Sequence, residues 1–141
     1  MTTASPMLAP VVALVIWSAI IWAWMYATRI PAIVKSRMVL DPMAPRGEQM
    51  AQLPPKVRWK ADNYNHLMEQ PTLFFAVAIT LAMLGDHSMS SVALAWGYVA
   101  LRVVHSLVQV TWNKIEVRFA LFFVSSLVLF GLVYEAALLV F

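Results

Sequence analysis

The chain has 141 residues, 62% of them hydrophobic and 12% charged, with a mean hydropathy of +0.74; these values exclude an ordinary soluble domain and point to a membrane protein. The formal charge is only +3, and the basic residues gather at the ends of apolar runs rather than in an aromatic-studded patch, which excludes nucleic acid as a partner. Without cysteine there is no disulfide, thiolate metal site or protein thiol nucleophile, so any sulfur chemistry needs a thiol from outside.

The first apolar run covers Leu8 to Thr28. No charged side chain precedes Arg29, and the run is too long for the apolar region of a secretory signal, so it reads as a retained membrane helix. A span needs about 20 mainly apolar residues, and three further windows qualify: Asn63 to Leu84, Met89 to Trp112, and Phe119 to Val140. The expectation is an all-α, integral membrane four-helix bundle, forming a single domain over residues 1–141. A polar loop over 29–60, broken by Pro42, Pro45, Gly47, Pro54 and Pro55, joins the first two spans. Gly85 to Ser88 make a tight turn in which Ser88 caps the third helix. Asn113 to Val117 form the last connection.

Orientation follows from lysine and arginine bias. The first loop carries Arg29, Lys35, Arg37, Arg46, Lys56, Arg58 and Lys60, and the last connection adds Lys114 and Arg118, whereas the Gly85–Ser88 turn has none. Both basic connections are expected on the cytoplasmic side, with the two termini on the far side and Trp59 and Trp112 as interfacial anchors.

Ionisable residues inside a bilayer cost roughly 2.5–3.5 kcal/mol at its centre and are expected to face protein or water, with a partner. Glu69, Arg102 and His105 are the candidates. On the third helix Tyr98, Arg102, His105, Gln109 and Trp112 fall within about 80° of one another, and on the second Arg58, Asp62, Asn65, His66 and Glu69 share a face. By helical rise Glu69 lies on the order of 10 Å inside its helix end and Arg102 about 15 Å inside its own. A Glu69–Arg102 ion pair is therefore expected, extended by His66 and His105. Pro71 removes a backbone donor, so a kink that frees a carbonyl for a neighbour is expected beside it. No histidine pair sits at ligand spacing on one helix, so no metal site is expected. Asp86, His87 and Glu135 read as far-side surface.

With both stripes placed, the chain resembles the family of membrane-associated proteins in eicosanoid and glutathione metabolism, and its bacterial branch in particular. The run DNYNHLMEQPTLF keeps Asp62, Asn63, Tyr64, Leu67, Glu69, Pro71 and Phe74 in the register of that branch, with His66 where asparagine is usual. The phrase RVVHSLVQVTWNKIEVRF places Arg102, His105 and Arg118 at the spacings of the glutathione-binding members, with Gln109 at the position of a tyrosine. In a continuous helix Arg118 would lie about 160° from Arg102, so the break at 113–117 has to bring it round. Asn65 and Asp62 replace basic residues found in some eukaryotic relatives.

The resemblance implies a homotrimer in the lipid bilayer of a bacterial inner membrane. It implies glutathione, or a related small thiol, held between the second and third helices with access from the cytoplasm. Glu69 would meet the tripeptide's amino end, Arg102 and His105 its backbone or carboxylates, and Arg118 the thiol, with Asn63, Asn65, His66 and Gln109 as further contacts. The implied activity is transfer of the thiol to a hydrophobic small-molecule electrophile, or reduction of a peroxide, with Arg118 stabilising the thiolate. The Gln109 and Asp62 departures motivate an alternative: a non-catalytic trimer whose polar network is structural or docks a larger assembly. A lipid or ion conduit through Glu69 and His105 is a third reading.

Overall fold

The computed structural model describes residues 4–141, and six helices account for most of them: α1 (Leu8–Lys35), α2 (Glu48–Ala51), α3 (Pro55–Leu67), α4 (Pro71–Met83), α5 (Met89–Thr111) and α6 (Ile115–Val140). Four helical runs are long and apolar enough to cross a membrane: α1, α3 with α4, α5 and α6. The all-α bundle expected from hydropathy is the observed architecture. The α5 helix is its centre, packed along α6 and touching α1 and α3, while α1 lies against α3 and α4.

The helix ends differ from the sequence reading. Helix α1 runs on past Thr28 through Arg29 and Pro31 to Lys35, and α3 begins at Pro55, so the polar loop is 36–54 rather than 29–60. Twenty-eight residues at 1.5 Å make α1 about 42 Å long against a hydrocarbon core of ~30 Å. Hydropathy ends where the bilayer does; the backbone hydrogen-bond ladder continues into the head-group layer. The second span is not one helix either. It breaks at Met68–Gln70, and Pro71 opens α4 at a position where its missing N–H is no loss. Helix α6 starts at Ile115, which shortens the last connection to Trp112–Lys114 and puts Arg118 inside the helix.

The turns follow their residue chemistry. Gly85 at φ 72° ends α4, with the Gly85 N–H on the Ala82 carbonyl and the Asp86 N–H on the Leu81 carbonyl, a paired arrangement that satisfies two terminal acceptors. Ser88 then caps α5 as expected, accepting from the Ser91 N–H at 3.3 Å. Asn113 takes the left-handed conformation, φ 56°, that closes α5 and turns the chain into α6.

The core is apolar and runs the length of the bundle through Leu14, Ile21, Leu67, Phe74, Leu81, Leu129 and Leu132, with Phe74 stacked on Tyr98 at 4.6 Å. The outer faces are apolar as well, with Trp22, Leu73, Phe119 and Phe130 exposed on them, as lipid contact demands. Hydroxyls on these faces turn back on their own helices: Thr80 donates to the Ala76 carbonyl and Thr111 to Leu107.

Candidate functional site

Three helices supply the candidate site at the loop end of the bundle. His66 closes the last turn of α3, His105 lies inside α5 and Arg118 in the first turn of α6; with Ile115, Phe119 and Phe122 they line a cavity of about 220 Å³. The imidazoles of His66 and His105 meet edge to face with centroids 4.9 Å apart, and His66 also lies 5.3 Å from the Phe122 ring. His105 is buried, whereas Ile115 and Phe119 are exposed, so the cavity opens on the flank of α6.

The connection between α5 and α6 aims Arg118. Asn113 adopts the left-handed conformation that lets the chain reverse, and its Oδ1 accepts from Arg118 Nη1 at 2.6 Å. One side chain thus makes the turn and holds the guanidinium against the cavity. Arg118 Nε is buried and has no hydrogen-bond partner among the described residues.

Arg102 sits behind the Phe122 ring, its guanidinium carbon 5.9 Å from the centroid, with no exposed surface. Nη2 donates to the His66 carbonyl at 3.1 Å; Nη1 and Nε have no partner among the described residues. The accepting carbonyl is one that the break before Pro71 releases, because the Gln70 N–H that would bond it in a continuous helix does not; the Glu69 N–H reaches it only at 3.4 Å. An acceptor is free at the break and an arginine takes it, but it is the His66 carbonyl, not that of Leu67, which is the one Pro71's missing N–H leaves without a helical donor.

The expected Glu69–Arg102 pair is not formed. Glu69 lies in the break between α3 and α4 with its side chain 71% exposed, and its Oε2 is 3.5 Å from His66 Nδ1, a contact that is an ion pair only when the imidazole is protonated. The pairing rests on depth along two continuous helices, and the break removes the premise: after Met68 the i→i−4 ladder lapses, with the Glu69 N–H reaching only the His66 carbonyl, so one regular helix no longer sets where the carboxylate points. The single polar stripe on the second span also divides. Asn65, Asp62 and Arg58 line a different cavity, facing α1 and the loop, while His66, one residue on, turns toward α5 and α6. Asn63 is buried and donates to the Ser106 hydroxyl at 2.5 Å, tying α3 to α5. Gln109 is buried too, its Oε1 without a partner among the described residues, and it does not line the cavity. Trp112, the last residue of the α5 stripe, is exposed.

Several contributors escaped the sequence reading. Phe122, one turn after Arg118 in α6, covers both Arg102 and His66; its i+4 spacing from Arg118 was the available signal. Asn113, a residue tolerant of left-handed backbone between two apolar helices, was legible as a turn but not as the support of Arg118. Gln70 donates to the Ser126 hydroxyl at 2.8 Å and accepts from Tyr98 Oη at 3.3 Å, linking α6 and α5 across the break. A side chain satisfied across 56 residues leaves no local signal.

Four membrane-spanning runs, with a cavity walled by two histidines and an arginine at the loop end and a second arginine behind it, define a polytopic membrane protein with a cationic intrabundle site. The chain belongs to the MAPEG family, whose model matches residues 7–138. No curated protein and no solved structure matches it.

Proposed function

We propose that the protein is a membrane-bound, thiol-dependent transferase or peroxidase that takes glutathione or a related small thiol and acts on a hydrophobic electrophile arriving from the lipid. Family membership supports this at the coarse level, since the family includes glutathione transferases and peroxidases alongside non-catalytic members. The observation that carries the finer reading is the Arg118 guanidinium, fixed by Asn113 at the cavity wall beside His66 and His105.

The donor set fits an anionic peptide thiol. Arg102 Nε and Nη1 and Arg118 Nε are buried donors without partners among the described residues, and a guanidinium left so in a low-dielectric interior calls for an anion. Arg102 and His105 would hold carboxylate or backbone oxygens. Arg118 would stand at the sulfur, where a cation that cannot lose its proton favours the thiolate over the thiol. The bound thiol supplies the nucleophile. Glu69, turned outward at the helix break, is available to an ammonium group approaching from outside the bundle, and with a second copy in a homotrimer that approach would lie between subunits. The loop end of the bundle, with its arginines and lysines, is on this reading cytoplasmic and the termini periplasmic.

The test is conjugation of a generic aryl halide by protein purified in detergent. Arg118→Ala is expected to lower kcat/KM by about 10²-fold, the scale of removing one charge-stabilising donor, and to move the pH–rate profile to higher pH. Activity unchanged by that substitution would refute the mechanism. A second reading, a non-catalytic trimer, is favoured by Asn63 and Gln70, which spend their polar groups inside the chain on Ser106, Ser126 and Tyr98. It predicts no saturable thermal shift with glutathione at any concentration.

A further inference from the structure

We propose that the cavity between α1, α3 and the polar loop binds the phosphate-bearing head group of a membrane phospholipid, with preference for a head group that also carries an ammonium. This site is separate from the His66–His105–Arg118 cavity and does not depend on the thiol reading. Its volume is about 230 Å³, and Arg29, Arg58, Asp62 and Asn65 supply its polar wall.

Three observations converge on it. The first is depth. The uncharged part of α1 from Leu8 to Thr28 is about 32 Å long at 1.5 Å per residue, close to the ~30 Å of hydrocarbon in a bilayer. Arg29, the first charged side chain of α1, therefore stands level with the lipid phosphates. Arg58 reaches the same cavity from the first turns of α3, which lies alongside.

The second is charge. Arg58 Nε is buried without a hydrogen-bond partner among the described residues, and although Asp62 is one turn away on the same helix, no ion pair forms between Asp62 and either arginine. The neighbouring cation is already engaged: Lys60 donates to the Lys56 carbonyl at 2.7 Å and sits 5.2 Å from the centroid of the Trp24 ring. Two guanidinium groups and one carboxylate, held apart around one cavity, match a phosphodiester on one side and an ammonium on the other.

The third is continuity with an apolar groove. Deeper in the bilayer, between the same α1 and the second span, Val15, Ala19, Trp22, Met68 and Phe75 line a groove of about 440 Å³. On α1, Val15, Ser18, Trp22 and Arg29 fall within about 60° of one another, so groove and cationic cavity lie on one face of the helix. A head group in the upper cavity would place its acyl chains at the mouth of the groove below. A free phosphate compound would use only the upper half.

The experiment uses the full chain, delipidated in detergent and then supplied with phosphatidylethanolamine, phosphatidylglycerol or soluble O-phosphoethanolamine, with bound lipid read by native mass spectrometry and stability by thermal shift. Phosphatidylethanolamine is expected to be retained and to raise the melting temperature, and Arg29→Gln with Arg58→Gln to lower retention at least tenfold. Asp62→Asn is expected to abolish the preference for phosphatidylethanolamine over phosphatidylglycerol. Ala19→Trp, which fills the groove from the lipid-facing side and leaves every charge in place, is expected to lower retention as well. Unchanged retention in the double arginine variant would overturn the site. An equal shift from O-phosphoethanolamine would overturn the lipid as its source, and a lipid-independent gain in oligomeric mass on delipidation would show that a second copy covers the groove instead.

Discussion

Asn63 was expected to contact a ligand, yet it spends its amide on Ser106, and the energetics of that bond separate the two roles. The donor and acceptor are 2.5 Å apart, with the residues 1% and 0% exposed, so no water competes. Interhelical hydrogen bonds in membrane proteins average ~0.6 kcal/mol and reach ~1.7; a dry pair whose ends have few alternatives belongs in the upper half, at about 1 kcal/mol. The alternatives are unequal. Freed of Asn63, the Ser106 hydroxyl can turn back to a carbonyl of its own helix, as Thr111 and Ser126 do. The Asn63 amide has no such exit, so Ser106→Ala strands a buried donor at a cost of about 1–3 kcal/mol although it deletes one oxygen. Asn63→Ala, Ser106→Ala and the double variant, unfolded by denaturant titration in mixed micelles, are expected to give a coupling energy of about 1 kcal/mol. Any thermal shift produced by glutathione should be equal in all three. Coupling under about 0.3 kcal/mol, or a glutathione shift lost in Asn63→Ala alone, would refute the structural assignment.

Asn113 has two jobs that two substitutions divide. Asn113→Gly keeps the left-handed backbone and releases Arg118, so the melting temperature should hold while conjugation activity falls by roughly tenfold. Asn113→Ala should show the same loss of activity plus about 1–2 kcal/mol of destabilisation from the positive φ. At the opposite end of the bundle, burial raises the Asp86 carboxyl, but the serine donors around it, Ser88 through both its hydroxyl and its N–H, outweigh burial and hold it below its ordinary value. A carboxyl depressed in the folded state contributes stability that is present above its unfolded pKa and is lost as pH falls through the folded one. Acid titration of stability should therefore show a decline beginning near the ordinary aspartate range, and Asp86→Asn should flatten that part of the curve.

Sequence and structure agree where one physical effect acts alone. Hydropathy decides whether a segment enters the bilayer, so all four spans were legible, as was the Gly85–Ser88 turn, where glycine supplies the positive φ and serine the cap. Helix ends were not, because Arg29, Lys35 and Lys56 signal the edge of the hydrocarbon and not the end of the backbone ladder. Within the site, His105 and Arg118 reach one cavity because the turn at Asn113 folds the start of α6 back against the end of α5. Glu69 went astray at the helix break. An interruption of the hydrogen-bond ladder over Met68 to Gln70 suffices to leave the Glu69 carboxylate on the surface, and Pro71 announces a break without giving its angle.

What remains unbalanced is the charge of the interior. Arg102 is fully buried with two donors unpartnered among the described residues, and the Glu69 carboxylate on the neighbouring helix break faces outward. A buried ion kept for stability alone would be a poor choice, since apolar residues of similar volume often replace such groups with no loss or with a gain of about 1–4 kcal/mol. Arg102→Met tests this directly. It deletes one bond, to the His66 carbonyl, worth ~0.6 kcal/mol by the membrane average, and it removes a desolvated charge that costs more. The ligand-free variant should be as stable as the parent or more so, and should lose the thermal shift with glutathione. If Arg102→Met instead collapses the fold, the guanidinium is a structural tie, and the anion-binding reading of the cavity falls with it.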